Sequence, residues 1–127
     1  MSILLAAAAA FSCQPVAVWD GDGPIHCQSG EKVRLADLAA RELDGTCRPG
    51  HPCPDASGTA ARDYLVRLLG GAKGRWSTGH IEVSGPALSC RKVGTSYGRT
   101  VARCRLPNGT DLTDAMVASG LALSWPH

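Results

Sequence analysis

The chain is 127 residues long, with 13 Lys plus Arg against 11 Asp plus Glu and a formal net charge of +2 at pH 7. That length accommodates one domain with a modest core and excludes two. The near-balance of charge excludes a non-specific basic coat for nucleic acid, so any anion binding has to come from arginines placed locally.

Residues 2–11 are an apolar run with small side chains at Ala8 and Ala10, like the end of a secretory signal peptide. The run is too short to span a bilayer and lacks a basic leader. We assign residues 1–10 to this segment and 11–127 to a single domain. Gln14 to Trp19 alternates small and apolar residues and meets the turn formers Asp20 to Pro24, which predicts a strand, a tight turn and a return strand. Lys32 to Leu38 alternates again and predicts a third strand. Residues 44–58 hold three Pro, three Gly and two Cys without periodicity, as expected of an inserted loop.

From Thr59 the period changes. Ala61, Tyr64, Leu65, Leu68 and Leu69 share one helical face, Gly70-Gly71 supplies a stop, and core packing accounts for this helix. His80 to Ser84 and Leu88 to Arg91 read as strand segments, and Thr100 to Leu106 as a strand ended by Pro107-Asn108-Gly109. A second helix is expected from a Thr113 cap to Gly120, with a buried stripe of Leu112, Met116, Val117 and Leu121. Short strands with a helix between the third and fourth predict a mainly β, α+β fold. The expected architecture is a five-stranded OB barrel with two short helices.

Six cysteines in so short a chain imply an oxidising compartment and three disulfides. A zinc site at Cys47, His51 and Cys53 is the rival, but the spacing lacks the paired Cys-x-x-Cys of structural zinc. Cys47 and Cys53 share a loop, Cys90 and Cys104 flank a hairpin, and Cys13 with Cys27 lie on the arms of the first hairpin. Those pairs are the expectation among the 15 that six cysteines permit. Together these features place the protein in the periplasm or outside the cell, without a membrane span. The four His show no ligand spacing and receive no role.

Four pieces remain: Asp20-Gly21-Asp22-Gly23, Arg34 to Glu42, Tyr97-Gly98-Arg99, and Asp111 to Ala122. Each alone has a plain reading as a turn former, a solvated charge or a hairpin turn. In this order they resemble the staphylococcal-nuclease-like (thermonuclease) family, whose signature runs Asp-Gly-Asp-Thr, Arg-Leu-x-Gly-Ile-Asp-Ala-Pro-Glu, Tyr-Gly-Arg, and a helix ending Gly-Leu-Ala. The resemblance covers nearly everything from Val16 to Ala122. It implies calcium-dependent cleavage of DNA or RNA phosphodiesters, and we expect the chain to act as a monomer. Arg34 and Arg99 would bind the scissile phosphate, because a guanidinium fork binds two oxygens and stays charged. Glu42 would orient or deprotonate the attacking water, and Tyr97 would contact substrate.

Calcium wants several oxygen ligands, carboxylates among them. The resemblance assigns Asp22 and the backbone carbonyl of Ala40, and Asp20 beside them is a further candidate. The second Asp ligand falls on Ala39, which has no side-chain oxygen, while Arg41 replaces a Pro and Gly23 a Thr. Three outcomes are compatible with this departure. Calcium binds weakly through Asp22, Asp20 and waters; Asp37 or Asp44 takes over as ligand; or Arg41 stands in for the cation. The chain thus reads as a degenerate member of the family, with a catalytically silent OB module binding single-stranded nucleic acid or another anion as the alternative. The family's C-terminal third helix has no counterpart in this sequence, and cross-links would offset the lost burial.

Overall fold

A computed structural model describes residues 10–125. The segment read as a signal lies almost wholly outside the described residues, but Ala10 and Phe11 already pair with Arg91 and Cys90. The strands of the main sheet are β1 (Ala10–Cys13), β2 (Pro15–Asp20), β3 (Gly23–Cys27) and β4 (Lys32–Leu35), followed by β6 (Gly74–Arg75), β7 (Ile81–Glu82), β8 (Leu88–Ser96) and β9 (Arg99–Arg105). They stand in the order β1-β8-β9-β4-β3-β2-β7-β6. A two-stranded sheet pairs β5 (Leu38–Ala39) with β10 (Leu123–Ser124). The α-helices are α1 (Gly58–Leu68) and α2 (Leu112–Ala118), so the fold is α+β.

Two features of the sheet decide where the functional residues go. Adjacent strands run antiparallel except β4 and β9, which are parallel with Arg34 beside Val101. Only Gln14 separates β1 from β2, yet β1 pairs with β8 while β2 pairs with β3 and β7. The third predicted strand stops at Leu35, because Asp37 adopts a left-handed φ of 63° and breaks the extended run.

Alternation along the strands sends Val18, Ile25, Val33, Leu35 and Leu88 into the core, where Leu65 and Leu69 of the α1 region and Met116 of α2 meet them. Ser57 caps α1, its hydroxyl accepting from the Ala60 amide at 3.0 Å. Tyr64 and Leu68 sit at the margin of the buried face, and Arg62 and Val66 are buried in their place. The cap of α2 is Asp111, not Thr113. The extended Asp111 backbone lets its carboxylate accept from the Asp114 amide at 2.9 Å. Thr113 is buried and donates to the Ala36 carbonyl at 2.8 Å.

Three disulfides cross-link the molecule: Cys13–Cys27, Cys47–Cys53 and Cys90–Cys104. Cys90 and Cys104 are directly opposed on β8 and β9. The zinc reading of Cys47 and Cys53 is excluded by their mutual bond. Arg103 on β9 reaches Asp37, Asp111 and Asp114 at 3.1–3.3 Å, tying the Asp37 turn to the start of α2. Among the described residues no helix is long and apolar enough to cross a membrane.

Candidate functional site

The tight turn between β2 and β3 carries Asp20 and Asp22. Gly23 has φ 104°, and a Cβ there would stand 2.6 Å from the Val33 carbonyl oxygen. A Thr could not take that conformation unstrained, so this substitution belongs to the turn itself. The Leu35 amide donates to the Asp22 carbonyl at 2.9 Å and clamps the turn against β4.

Arg34 points away from the core face of β4, since its neighbours Val33 and Leu35 are fully buried in the core. Paired strands in parallel register share faces, so Arg34, Val101 and Arg99 lie on one side of the sheet. That register brings together two arginines far apart in the chain. Arg34 is 3% exposed. Its guanidinium donates to the carbonyls of Leu35 at 2.8 Å and Leu38 at 3.0 Å, and to Asp22 Oδ2 at 3.3 Å. Three of its five N–H groups are thus used to hold it in place. Arg99, half-buried at the start of β9, makes no ion pair among the described residues.

Glu42 follows β5 and is positioned by α1. A Cβ on Gly58 would collide with the carbonyls of Glu42 and Arg41, so only glycine lets the helix start approach this segment so closely. Asp20, Asp22, Arg34, Glu42, Arg48 and Arg99 line one cavity of about 60 Å³, with Trp19 at its wall. Three chain segments and the inserted loop thus meet at one point. Arg48 is the member that sequence reasoning missed. It lies in the aperiodic loop, its Nε 3.5 Å from Glu42 Oε1 and its guanidinium 5.9 Å from the centre of the Tyr97 ring. The Cys47–Cys53 bridge beside it was the one available signal.

Tyr97 stands at the tip of the β8–β9 hairpin, 88% exposed, with φ 51°. It does not line the small cavity. It borders a groove of about 700 Å³ that also contains Arg34, Arg48, His51, Val101 and Trp125, so the two hollows share the two arginines. The rings of His51 and Trp125 are 3.7 Å apart in this groove.

Burial pushes the Asp20 carboxyl from 3.8 up to about 10, with the neighbouring charges and hydrogen bonds of Asp22 and Glu42 adding to the effect. Asp20 is therefore a neutral acid at pH 7 and can donate a proton in a hydrogen bond to either neighbour. A conventional ligand set for calcium does not result. Ala39 is buried in β5, Asp22 is engaged by Arg34 and Glu42 by Arg48. Although these carboxyls sense one another, no three His, Cys, Asp or Glu side chains among the described residues are arranged to hold a metal ion. Asp22, the Asp20 carboxyl and the Ala40 carbonyl would supply only part of a calcium shell of six to eight oxygens, and water or substrate oxygens would have to complete it.

Neither substitute ligand is in place. Asp37 bonds Arg103 at 3.1 Å, and Asp44 accepts from the Thr46 amide and hydroxyl at 2.9 and 2.7 Å. Arg41 does not face the carboxylates either. Its guanidinium donates to the Pro54 carbonyl at 2.7 and 3.1 Å and to the Gly45 carbonyl at 2.7 Å. The cation beside Glu42 is Arg48, and Arg41 braces the loop that delivers it. Ala40 lies against Gly21 at the turn: a Cβ built there would come within 3.1 Å of the Ala40 Cβ. No protein-family model and no curated protein matches the chain.

Proposed function

We propose that this protein is a degenerate staphylococcal-nuclease-like domain that binds a nucleic-acid phosphate and hydrolyses it slowly. One observation carries the reading: Arg34, Glu42 and Arg99, from segments remote in sequence, line a single small cavity. The fold reading behind it is an OB barrel. Strands β2, β3, β4, β9 and β8 are successive neighbours, and β1, one residue away from β2, pairs with β8. That is the connection a five-stranded barrel needs to close on its first strand. The disulfides and the absence of a long apolar helix among the described residues are compatible with an exported protein, and we place it in the periplasm or outside the cell, acting as a monomer.

In this mechanism Arg34, Arg48 and Arg99 face the phosphoryl oxygens and offset the charge that accumulates when water adds to phosphorus. The Glu42 carboxylate takes the proton of that water as the new P–O bond forms. The ester P–O bond breaks, and the departing alkoxide is protonated by solvent. Tyr97 borders the groove through which the chain would continue. Calcium, which supplies Lewis acidity in the family, would have only Asp22, Asp20 and the Ala40 carbonyl here. We propose that its binding is weak and that this limits the rate.

The alternative is a silent module that binds single-stranded nucleic acid or another anion. The Glu42–Arg48 ion pair favours it, because it engages the carboxylate that would otherwise face the attacking water. Cleavage of single-stranded DNA, followed with calcium and then with chelator, separates the two. Turnover abolished by Arg99→Ala supports the enzyme, whereas tight binding without turnover supports the module.

A further inference from the structure

Aromatic residues are scarce in this chain, with three Trp, two Tyr and one Phe. Even so, Trp19 and Trp76 lie outside the hydrophobic core and are half-buried. They gather with two histidines on the outer side of the β2–β3–β7 region. Val18 pairs with Ile81, which sets Trp19 and His80 opposite each other, their ring centres 4.8 Å apart. His80 lies 4.6 Å from His26 and 5.3 Å from Trp76, and Trp76 lies 5.4 Å from His26.

The β6–β7 hairpin is built to hold this arrangement. The Trp76 amide donates to the His80 carbonyl at 2.9 Å, and Thr78 Oγ1 is 2.6 Å from His80 Nδ1. Lys32 pairs with His26 in the β3–β4 ladder and adds a cation at the edge. Burial, with Lys32 and for His26 also His80, lowers the pKa of both imidazoles and keeps them neutral, stackable rings at pH 7.

Trp19 joins this cluster to the phosphate cavity, because it lines that cavity and also contacts His80. A cluster of tilted and edge-packed rings beside a cluster of arginines matches the chemistry of a single strand, which offers free base faces and a charged backbone side by side. A duplex keeps its base faces stacked inside. We infer that the Trp19–His80–Trp76–His26 cluster is a base-stacking platform for the single-stranded nucleic acid whose phosphate enters the arginine cavity. The inference rests on the phosphate-binding reading above and extends it from one phosphate to the neighbouring nucleotides.

The test compares a twelve-residue oligothymidylate with an abasic deoxyribose-phosphate strand of equal length, both in chelator so that neither is consumed. The unaltered protein should bind the oligothymidylate at least about fivefold more tightly, the lower bound for one stacked base. Trp76→Ala should abolish that preference while leaving affinity for the abasic strand unchanged, and Trp76→Phe should retain it. Equal affinity of the unaltered protein for the two strands overturns the platform, needs no variant, and leaves the phosphate site standing. So does equal weakening of both strands by Trp76→Ala, which marks the cluster as structural. Binding to neither strand removes the phosphate-binding reading itself, and the platform with it.

Discussion

Asp20 is the residue on which the site's pH behaviour turns. Its native carboxyl holds a proton up to about 10, whereas an ordinary aspartate releases it near 3.8. Between those values the folded state binds more protons than the unfolded state, so stability must fall as pH rises. His26 and His80 act in the opposite sense. Their lowered pKa values make them lose stability as pH falls through about 6.5. A measurement between pH 7.5 and 9.5 (well above the histidine range) isolates Asp20. Asp20→Asn should flatten the decline of the denaturation midpoint over that range and raise the midpoint at its alkaline end. An unchanged slope would mean that Asp20 is ionised in the native protein. Arg99 and Arg34 also part company at this scale. Arg99 makes no ion pair among the described residues, whereas Arg34 is buried against Asp22 and two carbonyls. On the proposed nuclease reading, Arg99→Ala should therefore cut turnover by about a hundredfold or more with little change in thermal midpoint. Arg34→Ala should also destabilise the fold, by about 3 kcal/mol, because Asp22 loses its buried partner.

At the scale of elements, the loop from Asp44 to Ser57 is the part of the site with no regular structure. It is closed by Cys47–Cys53 and braced by Arg41 through the Pro54 and Gly45 carbonyls. Arg48 and Glu42 are each about one-third exposed, so their pairing contributes at most about 1 kcal/mol to stability. Arg48→Ala should leave the unfolding curve nearly unchanged. Oligonucleotide affinity should nevertheless drop severalfold, read by titration at fixed salt, since one of three cavity cations is lost. No change in affinity would exclude Arg48 from the site. This division also explains what the sequence made legible. The short apolar strands β2 and β9, bounded by turn residues, and the helical period of α1 can be read directly, although burial in β2 and β9 does not alternate strictly and the buried face of α1 also takes in Arg62 and Val66. The parallel β4–β9 register is legible only through the order of motifs, because nothing local in Arg34 or Arg99 specifies a partner strand. Arg48 escaped notice because an aperiodic loop gives no direction to its side chains. The ring cluster escaped for a related reason: Trp19 and His80 meet through a long-range pairing, and neither sits in a recognisable spacing.

For the whole molecule, the question is what holds so small a sheet together around a strand that serves two neighbours. The β1–β2 stretch pairs with β8 on one side of Gln14 and with β3 on the other. The Gln14 side-chain amide donates to the Gly85 carbonyl, and its own backbone carbonyl accepts from the Gln28 amide. Disulfides flank that bend, with Cys13–Cys27 tying β1 to β3 and Cys90–Cys104 tying β8 to β9. Each spans a sequence separation of 14, and Cys47–Cys53 spans 6. In the chain-entropy account, loops of the first size restrict the unfolded chain by about 3 kcal/mol each, and the shorter one by about 2 kcal/mol. Their combined effect is comparable with the whole stability of an ordinary domain, about 5–15 kcal/mol. Full reduction should therefore leave the protein largely unfolded at 37 °C, seen as loss of the near-ultraviolet circular dichroism of its tryptophans. Selective loss of the loop bridge, by Cys47→Ser with Cys53→Ser, should preserve that signal and lower the midpoint by about 5–10 °C. A fully reduced protein that still melts cooperatively within a few degrees of the oxidised one would show that the core and the sheet ladders suffice. The bend at Gln14 would then be held by its hydrogen bonds and packing alone.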